Sequence, residues 1–194
     1  MNVLVMRRDI RLAWRWRETA NPMPSTPSGK EIKDGGWVVY DASTEKVYAA
    51  KGNKVSDFYV FEPGSEVWTP KTVIPTGREG KVPSKGAVGC ADGQGHIYAT
   101  KGNNTLGFYK YVIATDSWFQ KADIPLGTTN KKVKGGTDLA YAESNDTGYV
   151  YLLKGYRNEF WRYNVARDSW ELRSSPPTGT KYDKGSWLVA GQGP

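Results

Sequence analysis

The sequence holds one cysteine and one histidine, Cys90 and His96, and each scarcity closes off a class of function. A single thiol forms no internal disulfide. A single imidazole cannot supply the paired nitrogen ligands on which most transition-metal sites rest, so no cofactor or metal is expected. Long apolar runs are missing too: nothing approaches the roughly 20 residues that span a bilayer. The opening Met1-Asn2-Val3-Leu4-Val5-Met6-Arg7-Arg8 turns basic too soon for a signal peptide. No membrane span is therefore expected, and the cellular compartment is left open. No segment carries the 3.6-residue periodicity of an amphipathic helix, which removes the strand-loop-helix setting that a Gly-rich phosphate loop needs.

What is abundant points the other way. Eight Trp and twelve Tyr stand against three Met, with 22 Gly and 11 Pro, in a chain of 194 residues. That is the balance of many short strands joined by tight turns, and an all-β fold is expected. At 38% hydrophobic the chain has ample material for a core. The formal charge of +7, from 27 Lys and Arg against 20 Asp and Glu, favours anionic partners over cationic ones.

An internal repeat organises the sequence. One unit reads Gly36-Trp37-Val38-Val39-Tyr40, then Lys46-Val47-Tyr48-Ala49-Ala50-Lys51-Gly52-Asn53, Phe58-Tyr59-Val60-Phe61, Val67-Trp68 and Ile74-Pro75. The next has Gly86-Ala87-Val88-Gly89-Cys90, His96-Ile97-Tyr98-Ala99-Thr100-Lys101-Gly102-Asn103, Phe108-Tyr109-Lys110-Tyr111, Ser117-Trp118 and Ile124-Pro125. A third follows with Gly136-Thr137-Asp138-Leu139-Ala140, Tyr149-Val150-Tyr151-Leu152-Leu153-Lys154-Gly155, Phe160-Trp161-Arg162-Tyr163, Ser169-Trp170 and Pro176-Pro177. Trp68, Trp118 and Trp170 thus recur at intervals of 50 and 52 residues. Each unit contains four short β-prone runs separated by Gly, Asn, Asp or Pro, which predicts four strands per repeat. Leu4 and Trp14 are separated by ten residues, as are Phe58 and Trp68, so residues 1–24 are expected to supply the third and fourth strands of a further unit. Lys184-Gly185-Ser186-Trp187 matches Lys85-Gly86-Ala87-Val88, so residues 184–194 are expected to supply a first strand.

This pattern resembles the kelch repeat family: glycines before the inner strand, a Tyr-rich second strand ending in glycine, an aromatic third strand, and a Trp six to eight residues before Pro. The resemblance implies a β-propeller of four-stranded antiparallel blades, with complete blades over 33–75, 84–125 and 134–177 and a split partial fourth at the two ends, all in one domain. The family commonly ends its second strand in two glycines, whereas here the pairs are Lys51-Gly52, Lys101-Gly102 and Lys154-Gly155. The lysines are expected to point outward over their apolar stems, and the tryptophans to pack between neighbouring blades. An incomplete ring would expose apolar blade faces, so a homo-oligomer that completes the ring is expected, the alternative being a piece of a longer propeller.

Catalysis finds little support in the residues. Copper radical oxidases of this fold need two histidines, and only His96 is present. Thr115-Asp116-Ser117-Trp118 and Arg167-Asp168-Ser169-Trp170 lack the glycine and spacing of a sialidase Asp box, and read as turns in which Asp and Ser bond local backbone groups. A non-enzymatic binding or protein-interaction module is expected, the alternatives being a glycan-binding or glycan-active propeller and a fragment of a larger propeller protein with no function of its own.

Sorting the loops by the face on which they would emerge gives one basic set and one mainly acidic set. Lys33, Lys85, Lys134 and Lys184 precede inner strands, and Lys51, Lys101 and Lys154 close second strands. Repetition around an axis would turn them into an arc of positive charge that draws an anionic ligand. Tyr156 and Tyr182 lie in the same loops, placed to stack on a sugar or base. The competing reading has these lysines only keeping turns soluble and strand edges guarded. An acidic glycan fits better than nucleic acid, because no loop interleaves aromatics with basic residues as stacking platforms do.

Overall fold

Short runs rich in β-branched and aromatic residues, closed by turns that accept left-handed backbone, fold each repeat into a four-stranded antiparallel meander. The structure, a computed structural model, describes residues 4–8, 14–175 and 181–191. A hairpin comes first, β1 (Leu4–Arg8) with β2 (Trp14–Glu18). The first sheet holds β3 (Trp37–Asp41), β4 (Lys46–Ala50), β5 (Phe58–Glu62) and β6 (Val67–Pro70). The second holds β7 (Ala87–Ala91), β8 (His96–Lys101), β9 (Phe108–Val112) and β10 (Ser117–Gln120). The third holds β11 (Asp138–Ser144), β12 (Thr147–Lys154), β13 (Glu159–Asn164) and β14 (Ser169–Arg173). In each sheet the strands pair in sequence order. Between β9 and β10 the turn is a single 3-10 turn, Ile113–Thr115, ended by Asp116 at φ 49°. The chain is thus all-β, and among the described residues no helix is long and apolar enough to cross a membrane.

The sheets meet along their first strands, β3 lying against β7 and β7 against β11. Their broad faces then pack on one another. Tyr48 and Phe58 of the first sheet are covered by Tyr111 and Trp118 of the second, with Phe58 edge-on to both at 5.0 and 5.1 Å between ring centroids. Tyr98 and Phe108 of the second are covered by Tyr163 and Trp170 of the third, with both Phe108 distances at 4.9 Å. Such aromatic pairs contribute about 0.5–1.5 kcal/mol each beyond the area they bury.

Each recurring tryptophan also ties its sheet to the chain entering it. The indole of Trp68 donates to Asn21 O at 3.3 Å, Trp118 to Thr72 O at 2.9 Å and Trp170 to Ala122 O at 2.9 Å. The local reading of the aspartate turns is corrected here. Asp116 Oδ1 accepts the Thr72 amide at 2.9 Å and the Tyr111 hydroxyl at 2.6 Å, and Asp168 Oδ1 accepts the Ala122 amide at 2.8 Å and the Tyr163 hydroxyl at 2.7 Å. Lys71 and Lys121 complete the pairs as ion partners at 3.1 and 3.0 Å. A turn carboxylate thus reaches the preceding sheet's exit segment because that segment ends with unpaired amides beside it; only Ser117 bonds locally, to Thr115 O.

Residues 184–191, expected as a first strand, pair with no strand; 192–194 lie outside the described residues. The segment is held instead at points, Leu188 N donating to Asp138 Oδ2 at 2.6 Å, because no second strand lies beside it to supply a ladder.

Candidate anion-binding depression

The turn before each first strand is built on a glycine in the left-handed region: Gly35, Gly86, Gly136 and Gly185, with φ of 81, 87, 80 and 86°. These turns nest. A Cβ on Gly35 would lie 2.1 Å from Ser84 O, and one on Gly86 would lie 2.0 Å from Lys134 O, so only glycine lets one turn sit against the next. Asn53 and Asn103, from the loops that follow β4 and β8, donate their amides to Asp34 O and Lys85 O at 3.0 and 2.9 Å and lock those loops to the same turns.

This nesting brings four of the expected residues together. Lys33, Lys85, Lys134 and Lys184 are exposed and line one depression of about 760 Å³. Lys30 and Lys54 join them, so six ammonium groups face a single lining carboxylate, Asp34. Asp34 lies 3.5 Å from Lys85 Nζ, both half-exposed, in a pairing that solvent leaves weak. Lys33, Lys134 and Lys184 make no ion pair or side-chain hydrogen bond among the described residues. Tyr156 also lines the depression, with Lys181 Nζ 5.6 Å from its ring centroid. Asn104, which sequence reasoning passed over, lines it as well; its signal was the loop position it shares with Lys54 in the preceding repeat.

The other four expected residues do not reach the depression, and their outward placement is corrected. Lys51, Lys101 and Lys154 are 1, 1 and 0% exposed. Lys51 Nζ donates to Ser25 O at 2.7 Å and to Asp57 Oδ2 at 3.0 Å. Lys154 Nζ donates to Leu126 O at 2.7 Å, Pro125 O at 2.8 Å and Glu159 Oε2 at 3.1 Å. Lys101 Nζ donates to Thr76 O and sits 5.2 Å from the Tyr109 ring centroid, with Gly107 where the other repeats have their acid. Each lysine therefore clamps the linker entering its own sheet, whose bent backbone offers carbonyls with no ladder partner. Burial drives the Lys101 and Lys154 ammonium groups below the usual lysine range, in Lys154 against the opposing pull of Glu159. Tyr182 is 8% exposed because it occupies the position of the buried Pro83 and Val133, its carbonyl accepting the Tyr156 amide as theirs accept Lys54 and Asn104.

No protein-family model and no curated protein matches this sequence. Solved structures do resemble it in fold. YjhT superposes with a TM-score of 0.51 at 15% identity, over 77% of this chain and 54% of that one. The extracellular domain of the putative one-component system BT4673 from B. thetaiotaomicron gives a TM-score of 0.51 at 10% identity, over 83% of this chain and 18% of that one. The chain thus spans about half the length of the first and under a fifth of the second.

The opposite face has the contrary sign. A second depression of about 690 Å³ is lined by Asp92, Glu143, Gln94 and Tyr141 among others, with no Lys or Arg. Its carboxylates are engaged: Glu143 accepts from Gln94 and Tyr141, and Asp92 holds His96 Nδ1 at 2.7 Å. His96 is thus tied to a neighbouring turn.

Proposed function

We propose that this chain is a kelch-like propeller module, its three sheets acting as blades, that works by binding an anionic ligand in the lysine-lined depression and not by catalysis. The observation that carries this reading is the convergence of six lysines on one concavity with one weakly paired carboxylate among them. Like charges held together repel, and an anion relieves that repulsion while gaining from all six. Regular repetition of the turns also suits a ligand with repeated charges. An acidic glycan suits the site better than a nucleic acid, since Tyr156 is the one aromatic that lines it among the described residues and a single ring gives no stacking platform for successive bases.

The test is calorimetric titration with polygalacturonate, with neutral dextran as control and single-stranded oligonucleotide as comparator, at low and high salt. Binding to polygalacturonate that weakens with salt, and falls at least about tenfold (1.4 kcal/mol) when Lys33, Lys85, Lys134 and Lys184 are all changed to Ala, is expected. No binding at low salt, or binding that the fourfold variant leaves unchanged, would refute the reading. Tighter binding of the oligonucleotide would overturn the choice of glycan.

A further inference from the structure

The three sheets carry the same stacked ring pair on the face turned toward the next sheet. Tyr48 and Phe58 lie 6.1 Å apart at 25°, Tyr98 and Phe108 6.1 Å apart at 18°, and Tyr151 and Phe160 5.7 Å apart at 20°. The first two pairs are sealed, no ring more than 2% exposed, by the third- and fourth-strand aromatics of the following sheet. Tyr151 and Phe160 are only half-buried, and among the described residues no ring from a following sheet caps them.

The polar frame around the third pair is unfilled as well. Thr72 and Ala122 give an amide to the next sheet's aspartate and a carbonyl to its tryptophan. Their counterpart after β14 is Ser174, whose amide and carbonyl make no hydrogen bond among the described residues. Lys71 and Lys121 pair with the same aspartates; their counterpart is Arg173, with 48% of its side chain exposed and only a 3.9 Å contact to Glu171. A ring pair, a donor, an acceptor and a cation thus stand in a set arrangement that β9–β10 and β13–β14 fill elsewhere in the chain.

One hairpin has the complementary deficiency. Among the described residues β1 and β2 form a two-stranded sheet with no first or second strand beside them. Their exit segment enters the first sheet as 71–74 enters the second: Asn21 O accepts the Trp68 indole, and Met23 is buried at the position of Ile74. By position they are a third and fourth strand, and β2 contributes Trp14 and Trp16 to the sequence of that unit. β9–β10 packs on the first sheet with one face and on the third with the other, so a hairpin of this kind serves two sheets at once.

We infer that the outer face of the third sheet, at Tyr151, Phe160, Arg173 and Ser174, is a docking surface for the β1–β2 hairpin of a second copy of this chain. The exchange is reciprocal, as a two-fold dimer requires. Residues 181–191, which run beside the third sheet without pairing, lie where the hairpin's missing first strand belongs.

Light scattering on the full chain at about 10 and 100 µM, with hydrogen exchange on the same samples, tests this. The expected result is twice the 21.6 kDa chain mass, with exchange slowed at 4–18 and at Ser174. Phe160→Glu and the exposed Arg173→Glu should each restore the monomer mass and release that protection together. A folded monomer at the higher concentration overturns the inference, as does a dimer whose mass both variants leave unchanged or one with no protection at these segments. The fourfold lysine variant should keep the dimer mass, which separates this result from that of the anion titration.

Discussion

Replacing Lys154 by methionine should destabilise the protein far more than the same change at Lys101, although both lysines are fully buried at equivalent positions. Lys154→Met leaves Pro125 O and Leu126 O without their donor and Glu159, with 4% of its side chain exposed, as a buried carboxylate without its cation. Removing one partner of a buried pair costs about 3–5 kcal/mol. The lower end applies here because Glu159 keeps the Thr129 amide at 3.0 Å, the Thr129 hydroxyl at 2.7 Å and the Trp161 indole at 3.2 Å. Among the described residues Lys101 has no carboxylate within ion-pair distance, so Lys101→Met leaves Thr76 O without its donor and removes the ammonium from the Tyr109 ring, with no charge left stranded. That loss of about 1–2 kcal/mol is offset by no longer burying a charge, and the net change should stay under about 1 kcal/mol. In a chain of this size the two variants should lose about 6–12 °C and under about 4 °C of Tm. Urea unfolding followed by tryptophan fluorescence reads the same difference as a shift in midpoint at constant slope. Equal losses, or a larger loss at Lys101, would refute the assignment of Glu159 as the group that makes the difference.

Two further outcomes follow from the contacts that hold the linkers to the sheets. Burial raises the Asp116 and Asp168 carboxyls, but hydrogen bonds and lysine partners outweigh it and leave both below the usual 3.8. A depressed folded-state value means that the stabilisation is full above the unfolded-state pKa and is lost as pH falls through the folded one. Acid unfolding should therefore steepen below about pH 3.8, and Asp116→Asn with Asp168→Asn should flatten that limb while lowering stability at pH 7, as pH-resolved urea titrations would record. Gly77→Ala should be severe, since φ is 60° and the new Cβ would lie 1.9 Å from the hydroxyl of the buried Tyr109. Gly80→Ala, at φ 61° with nothing within 4 Å, should lose only about 1–2 kcal/mol by comparison, and thermal melts of the two variants separate the clash from the backbone term.

The sheets were legible because strand signals are local. Phe58-Tyr59-Val60-Phe61 or Phe108-Tyr109-Lys110-Tyr111 is a run of β-prone residues within four positions, and the turn chemistry that closes each run lies beside it. The packing role of Trp118 and Trp170 was legible for a related reason: the same large side chain at the same place in each unit meets the same phenylalanine of the preceding sheet, Phe58 and Phe108, whereas the rings that Trp68 meets, Tyr59 and Phe61, belong to its own sheet. The basic depression was half legible. Lys33, Lys85, Lys134 and Lys184 stand next to turn glycines in the sequence, but their convergence depends on Gly35 and Gly86 packing on the following turns, a contact between residues about fifty positions apart.

The buried lysines mark where sequence reasoning stopped. A lysine after a Tyr-rich strand faces water or protein according to what arrives over it, and what arrives is a linker some 25 residues earlier whose carbonyls lack partners. An acid six residues after Lys51 and five after Lys154 was the available signal, and Gly107 broke it in the middle repeat. Tyr182 was misplaced because burial at its position comes from backbone pairing with the Tyr156 loop. Composition, β-prone runs and the repeat thus determined the strands of the three complete sheets, their order within each sheet and the sign of charge on the two sets of loops, all of which depend on residues close in the chain. Tertiary structure alone decided which lysines face solvent, which carboxylates join one sheet to the next and which aromatic face is left uncovered, because each of these depends on a neighbouring sheet that local sequence does not specify.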